Sequence, residues 1–256
     1  MAYTLEDSQR HISQTYFKHD RVRAEQYGEY MSGPHDKTVV HIPARAGSTR
    51  IAHKNIREIC GVPLIAYTIA IAKALPVDRV IVNTDSRKYA RIAEQYGAEA
   101  PFIRPAELAS DDASPGLASY YAKHFLLTEG YPLGVFIDLY PTSLFRNVKT
   151  MTRYVEMTRK AGCCSTAVMP DVDLNRLFTE NDRIELPPCT RRDELNLYCR
   201  LLGNFVGARV LNREMRWLHY ELIDNPVELI DIDEDEDFAL AEYIIEHELY
   251  DFGVSI

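Results

Sequence analysis

The chain lacks any segment approaching the roughly eighteen consecutive apolar residues of a membrane span, and no apolar signal-peptide core follows its polar start, Met1-Ala2-Tyr3-Thr4-Leu5-Glu6-Asp7. Those absences argue against a membrane anchor and a secretory leader, so a cytoplasmic location is expected. Its five cysteines, Cys60, Cys163, Cys164, Cys189 and Cys199, contain no C-x-x-C pair and are odd in number. A disulfide framework and a zinc knot are therefore disfavoured, and the adjacent Cys163 and Cys164 are expected as reduced, buried strand residues. Basic excess is missing too: the formal net charge is −9, which argues against nonspecific nucleic-acid binding. Neither G-x-x-x-x-G-K-[ST] nor G-x-G-x-x-G is found at a strand end, so the two generic phosphate fingerprints do not apply. No internal repeat or low-complexity run is evident.

What is present is a globular balance, 46% hydrophobic and 26% charged over 256 residues, suited to one α/β domain or one domain with an appendage. The informative stretch is Val39-Val40-His41-Ile42-Pro43-Ala44-Arg45-Ala46-Gly47-Ser48-Thr49-Arg50-Ile51-Ala52-His53-Lys54-Asn55. It reads as a buried β-branched strand feeding a small, basic loop. Small residues let backbone N–H groups approach an anion, and Arg45, Arg50 and Lys54 repel one another unless an anion joins them. A nucleotide polyphosphate is the expected ligand. His41 and His53 carry no assigned role, since a strand histidine and a loop histidine are more often structural or solvated.

Downstream, Pro63–Leu75 is apolar on nearly every face, as for a helix buried against a sheet, and Arg79–Thr84 reads as a strand. Ser86–Tyr96 has helical spacing with Gly97 as its C-cap. A short strand near Phe102-Ile103, a helix over about Pro115–Leu127 and the strand Gly134–Leu139 continue the rhythm. Such alternation implies an α/β fold with a mainly parallel sheet and helices on both faces, ligands gathering beyond the carboxyl ends of the strands. From Cys163 to about Leu211 the character changes to short β-like runs and polar segments, which reads as an excursion. Residues 1–36 are a separate extension in which Ile12, Tyr16 and His19 have helical spacing. It is a clasp or subunit contact on one reading and a substrate lid carrying Arg21 and Arg23 on the other.

Near the C-terminus, Val227–Asp233 alternates acidic and apolar residues at strand period, which puts Asp231 and Asp233 on one face about 6.5–7 Å apart. Two carboxylates so placed suit Mg²⁺, which takes oxygen ligands, keeps waters and bridges one or two carboxylates to substrate phosphates. Glu234–Asp237 reads instead as a helix start, where negative charge suits the dipole. Asp138, at the end of a hydrophobic strand, is either a third metal or acceptor ligand or a capped turn residue.

The loop resembles that of the sugar-activating cytidylyltransferases, the family of the CMP-N-acetylneuraminate synthetases and, more distantly, the CMP-Kdo synthetases. Their pattern I-P-A-R-x-G-S-[KT]-x-[IL]-x-x-K-N is matched at Ile42, Pro43, Ala44, Arg45, Gly47, Ser48, Thr49, Ile51, Lys54 and Asn55. Thr84-Asp85 is similar to the family's step near the cytidine, and Arg104-Pro105-Ala106-Glu107-Leu108-Ala109 to its R-P-x-x-L-A element, whose Arg helps bind the nucleotide. Asp231-Ile232-Asp233, Asp237 and Ala241-Glu242 resemble the I-D-I-D-x-x-x-D-x-x-x-A-E ending. The likeness covers most of residues 38–256. It implies a Rossmann-like nucleotidyltransferase fold over 37–256, with a projecting dimerisation arm at about 163–211 and a homodimer.

The activity so implied is Mg²⁺-dependent transfer of CMP from CTP to an anionic nonulosonic sugar, with release of pyrophosphate. Arg45, Lys54 and Asp233 would carry the reaction. Ala44, Arg45, Gly47, Ser48, Thr49, Lys54, Asn55, Thr84, Asp85 and Arg104 would bind the nucleotide, and Asp231 and Asp233 the metal. Tyr140, Thr142, Ser143, Arg146 and Asn204 would face the acceptor. The acceptor elements depart most from the family: Tyr140 stands where a Gln precedes Pro-Thr-Ser, Leu144-Phe145-Arg146 replaces P-L-R, and N-G-A-I-Y survives only as Asn204-Phe205-Val206-Gly207. An aromatic wall in place of an amide changes which acceptor fits. Cytidylyl transfer to Kdo or a phosphonate, and a non-catalytic nucleotide-binding homologue, are the competing readings.

Overall fold

Residues Thr38 to Ile42 are all buried and form the middle of β1 (Lys37–Pro43), the strand from which the basic loop departs. The computed structural model describes residues 35–48, 50–109, 115–168, 190–192, 198–210 and 219–256. Along the chain, β1 is followed by the two-residue antiparallel pair β2 (Glu58–Ile59) and β3 (Val62–Pro63), then α1 (Leu64–Ala74), β4 (Arg79–Asn83) and α2 (Arg87–Gln95). Next come α3 (Pro115–Thr128), β5 (Leu133–Asp138), α4 (Val148–Ala161) and β6 (Cys163–Val168). The order closes with β7 (Thr190–Arg192), β8 (Tyr198–Arg209), β9 (Tyr220–Leu222) and α5 (Asp235–Glu246).

Among the described residues the main sheet has seven strands in the order β4-β1-β5-β8-β6-β9, with β7 on β8. The pairs β1·β4, β1·β5 and β6·β9 are parallel, whereas β8 runs antiparallel to β5, β6 and β7. The expected mainly parallel α/β sheet is thus present, with one reversed strand near its centre.

Strand alternation divides the core. Val40, Ile42, Val80, Val82, Val135 and Ile137 pack in one cluster with Ile65 and Ile69 of α1, Ala93 of α2 and Met151, Tyr154 and Val155 of α4. Val39, Ile81 and Phe136 point to the other side, against Ala122, Leu126 and Leu127 of α3. Eight residues of α1 are buried because Leu64 and Tyr67 face a third cluster, built with Phe145, Ile232, Phe238 and Ala241. Truncating a residue such as Ile69 to Ala would cost about 2–5 kcal/mol. Gly97 ends α2 at φ +86°, with its N–H on the Glu94 carbonyl, a conformation that favours glycine.

The expected excursion from Cys163 is narrower than the sequence suggests. Cys163–Val168 and Tyr198–Arg209 are strands of the main sheet, because β8 returns between β5 and β6 and pairs with both. Residues 169–189 and 193–197, which hold most of the expected arm, lie outside the described residues, as do residues 1–34 of the extension.

Candidate active site

The carboxyl ends of β1, β4 and β5 bring the expected loops to one edge. The parallel ladder extends one step past β1 through Ala44 N–H to the Asn83 carbonyl, 2.9 Å. Ala46 N–H then donates to Asp85 Oδ1 at 2.8 Å, and Asn55 Nδ2 donates to the Arg45 carbonyl at 3.0 Å. Asp85 and Asn55 therefore brace the loop backbone from both sides. A Cβ built on Gly47 would meet no protein atom within 4 Å, so the loop leaves open space where a bulky ligand group can approach the backbone. Thr49 lies outside the described residues.

The cations of the loop converge on the C-terminal carboxylate. Lys54 Nζ donates to the Ile232 carbonyl at 2.9 Å and to Asp233 Oδ1 at 2.7 Å. Arg50 Nη1 reaches Asp233 Oδ2 at 2.5 Å. Partial burial opposes ionisation of Asp233, but the hydrogen bonds and charges of Lys54 and Arg50 outweigh it and hold the carboxyl below its ordinary range. Asp231 is exposed and Ile232 fully buried, so the alternation read from the sequence survives. The expected strand does not: Pro226–Leu229 is a 3-10 turn capped by Asn225, and residues 230–233 pair with no strand among the described residues. Proline at the first position of that turn lacks the N–H a ladder needs. The segment is held by Ile232 N–H donating to the Thr142 carbonyl at 2.8 Å. Glu234–Asp237 does start α5, with a capping box in which Asp237 Oδ2 accepts from the Glu234 backbone.

Arg104 is 5% exposed, and its Nε and Nη2 have no hydrogen-bond partner among the described residues. Burial pushes the guanidinium below its ordinary value; Asp85 pulls it back up, and Arg45 pushes it further down. A buried cation with unsatisfied donors is costly in the free protein. Its backbone is fixed by donation to the Thr84 carbonyl at 2.8 Å. Thr84 is fully buried, and its Oγ1 accepts from Ser86 N–H, so it shapes the turn before α2.

On the acceptor side the structure corrects one assignment. Arg146 is fully buried, donating from Nε to the Asn204 carbonyl and from Nη2 to the Tyr140 carbonyl, both at 2.6 Å, and from Nη1 to Thr68 Oγ1 at 3.3 Å. Burial pushes its pKa down to about 9, against the pull of Tyr250, Asp231 and Glu228. It supports the acceptor-side backbone from beneath instead of meeting a substrate. Asn204 is 1% exposed, with Nδ2 donating to the Phe145 and Glu228 carbonyls. Its Oδ1 is buried as well and has no hydrogen-bond partner among the described residues. Thr142 and Tyr140 are half-buried and Ser143 is 8% exposed. The Tyr140 ring lies against Gly203, where a Cβ would come within 3.2 Å of Tyr140 Cδ2.

Asp138 is tied into the protein by one of its carboxylate oxygens. Its Oδ1 accepts from His41 Nδ1 at 2.6 Å and from Ser119 Oγ at 2.8 Å, behind the site. Asn83 joins the same group, and neither it nor Ser119 stands out in the sequence. Polar residues at the carboxyl ends of apolar strand runs were the available signal.

Among the described residues no three His, Cys, Asp or Glu side chains cluster to hold a metal. Asp231 and Asp233 supply two carboxylates, a donor set that suits a cation completing its shell with water and phosphate oxygens.

The chain is similar to several known proteins. CMP-N,N'-diacetyllegionaminic acid synthase of Legionella pneumophila is 32% identical over 226 residues, which cover 80% of this chain and 94% of that protein. Pseudaminic acid cytidylyltransferase of Campylobacter jejuni is 27% identical over 228 residues, covering 83% and 98%. The solved structure of CMP:2-keto-3-deoxy-manno-octonic acid synthetase complexed with CTP shares the fold, with a TM-score of 0.60 at 16% identity over 83% of this chain and 100% of that one. The 4-diphosphocytidyl-2C-methyl-D-erythritol synthase of Anaerococcus prevotii gives a TM-score of 0.57 at 13% identity, covering 82% and 99%. The family model described as cytidylyltransferase matches residues 39–200, from the strand that carries the basic loop into the reversed central strand, and the chain belongs to that family.

Proposed function

We propose that the protein transfers CMP from CTP to an anionic nonulosonic sugar and releases pyrophosphate. The observation that carries this reading is the convergence of Lys54 and Asp233 at the end of a loop whose Gly47 edge is open. A cation paired to a carboxylate there can turn to a polyphosphate when one arrives. The names of the relatives, a diacetyllegionaminic acid synthase and a pseudaminic acid cytidylyltransferase, support a nonulosonate as acceptor class.

In this reading a hydroxyl oxygen of the acceptor attacks the α-phosphorus of CTP in line, and the hydroxyl proton passes to solvent. The bond to the β-phosphate oxygen breaks, and pyrophosphate leaves with its electron pair. No enzyme nucleophile is needed, and the protein's task is positioning and charge stabilisation. Arg45, Ser48 and Lys54 hold the triphosphate and offset the charge gathering on the leaving pyrophosphate. Arg104 offers the N–H groups of its unpartnered Nε and Nη2 to the nucleotide, and Asp85 keeps the loop backbone in place. Asp231 and Asp233 would hold Mg²⁺, which when bound would neutralise phosphate charge. Tyr140, Thr142 and Ser143 face the acceptor. Action as a homodimer in the cytosol belongs to the same proposal and is supported by the family likeness.

Pyrophosphate release tests the reading, using CTP, ATP, GTP and UTP with Mg²⁺ against N-acetylneuraminate, related nonulosonates, Kdo and simple phosphonates. Release with CTP and a nonulosonate is expected. Release with Kdo or a phosphonate alone would move the acceptor, and CTP binding without release for any acceptor would mark a non-catalytic nucleotide binder.

A further inference from the structure

We propose that His41, Asn83, Asp138 and Ser119 form a positioning network that fixes the relative geometry of the nucleotide and acceptor loops. The inference rests on the cytidylyl-transfer reading for its consequence in catalysis, and on the structure alone for the loops it controls.

The network sits behind the site, between the sheet and α3. His41 is fully buried, Asn83 is fully buried, Ser119 is 5% exposed and Asp138 9% exposed. His41 and Asp138 are directly paired across β1 and β5, and Asn83 lies opposite Pro43 across β1 and β4. Donor and acceptor roles follow from the geometry. Asn83 Nδ2 donates to the Ala118 carbonyl at 2.8 Å, and its second hydrogen meets His41 Nε2 at 3.0 Å. Nε2 therefore accepts, and the imidazole proton sits on Nδ1, donating to Asp138. Ser119 Oγ adds a second donor to the same carboxylate oxygen.

An apolar filling of this space would be the easier way to stabilise a core. The neighbours Val39, Ile81 and Phe136 on the same face are apolar, and a partly satisfied buried polar network is worse for stability than well-packed hydrophobic residues. The arrangement also leaves Asn83 Oδ1 without a partner, a desolvation penalty with no return in stability. What the network does achieve is connection. Asn83 immediately precedes Thr84-Asp85, and its carbonyl accepts from Ala44 of the nucleotide loop. Asp138 lies two residues before Tyr140, and the intervening Leu139 N–H donates to the His41 carbonyl at 3.0 Å. Ala118 and Ser119 tie in the first turns of α3. Three loops that must meet around one phosphorus thus start from one hydrogen-bonded group, and a misplacement of about 1 Å between reacting partners can lower a rate about 100-fold.

The test replaces the group by apolar residues of similar size, His41→Leu with Asp138→Leu and Ser119→Ala, in the full chain. Expected is a folded protein in which hydrogen exchange accelerates together at residues 44–48, 84–85 and 139–143, while α5 is unaffected. With turnover, kcat should fall about tenfold or more, while CTP affinity without acceptor changes less than about threefold, the pattern of lost alignment in the transition state. Unchanged exchange in those loops overturns the proposal whatever the activity. A parent protein that never releases pyrophosphate counts against the cytidylyl-transfer reading alone. Asp138→Asn, which keeps an oxygen to accept from His41 and Ser119, provides the second variant should the triple replacement not fold. It should retain parent exchange and kcat within about threefold, and accelerated exchange in the three loops there would also overturn the proposal.

Discussion

Lys54 and Asp233, separated by 179 positions in the chain, meet with Nζ 2.7 Å from Oδ1. The contact joins the end of the nucleotide loop to the extended segment before α5. Lys54 is the more buried partner, its side chain 13% exposed against 42% for Asp233, and its second bond to the Ile232 carbonyl fixes its direction. The ammonium is thus held against the 232–233 segment at the end of the loop before any ligand binds.

Replacing Asp233 by Asn separates its structural and catalytic contributions. Turnover should fall by about 100-fold or more, the scale seen when one preorganised electrostatic group is lost. The folded carboxyl is held below its ordinary range, so its pairing stabilises the protein above the unfolded carboxyl value, about pH 4. That stability disappears as pH falls through the depressed folded value. The amide that replaces it cannot titrate. The variant should therefore melt slightly lower than the parent at pH 7, with the gap closing below about pH 4. Thermal melts from pH 7 to pH 2.5 check this, and a gap that stays constant would show that the ion pair contributes nothing.

Arg50 makes the other contact to Asp233 from a side chain that is 61% exposed. Exposed pairs are worth about 1 kcal/mol or less, so Arg50→Gln should leave the melting temperature nearly unchanged. It should also remove a cation that competes with a metal for the same carboxylate. The expected outcome is half-saturation of turnover at a lower Mg²⁺ concentration, by about two- to fivefold. Mn²⁺ binding followed by electron paramagnetic resonance reads the same shift without turnover, and a weaker affinity in the variant would mean that Arg50 helps to bind the metal–nucleotide complex.

Arg104 presents the opposite balance. Its buried guanidinium has two nitrogens without partners in the free protein, so Arg104→Met should raise the melting temperature by relieving an uncompensated buried charge. The same change should weaken CTP binding by about tenfold or more, as loss of a charged hydrogen-bond donor implies. Calorimetry with CTP and a thermal melt on one sample examine both. A variant that is destabilised and binds CTP normally would show Arg104 to be a packing residue.

The loop from Ala44 to Asn55 was legible because its chemistry is local: a β-branched strand, small residues and cations within a few positions. The same holds for β1, β4 and β5 and for α1, whose patterns need no distant partner. Where the reading failed, the missing information was non-local. Arg146 sits in a loop motif and looks like a ligand-binding cation, but Asn204, Tyr140 and Thr68 enclose it from three separate segments. Asp138 was ambiguous because its partner His41 lies 97 positions away and is set opposite it only by the β1–β5 register. The β-period alternation around Asp231 predicted the side-chain directions and not the strand, since Pro226 opens a 3-10 turn and the Ile232 N–H is taken by the Thr142 carbonyl of a loop.

Gly203 offers a way to alter the acceptor side without touching the nucleotide side. It lies in β8, where an added Cβ would sit 3.2 Å from Tyr140 Cδ2, 3.5 Å from Cγ and 3.8 Å from Ser143 Oγ. The Tyr140 backbone cannot readily retreat, because its carbonyl accepts from the buried Arg146 guanidinium at 2.6 Å. The ring must give instead, by a few tenths of an ångström, which shifts the aromatic wall beside Ser143. Gly203→Ala should therefore raise the KM of the acceptor by about threefold or more, a small effect on the scale of one methyl group in a binding pocket. The KM of CTP should stay unchanged, since the nucleotide loop, Asp85 and Arg104 have no contact with the added atom. Because the ring is displaced and not removed, acceptors with smaller substituents should suffer least, reordering preference within a nonulosonate series. Steady-state kinetics with CTP and acceptor varied separately measure this, and an equal rise in both KM values would show that Tyr140 does not form the acceptor wall.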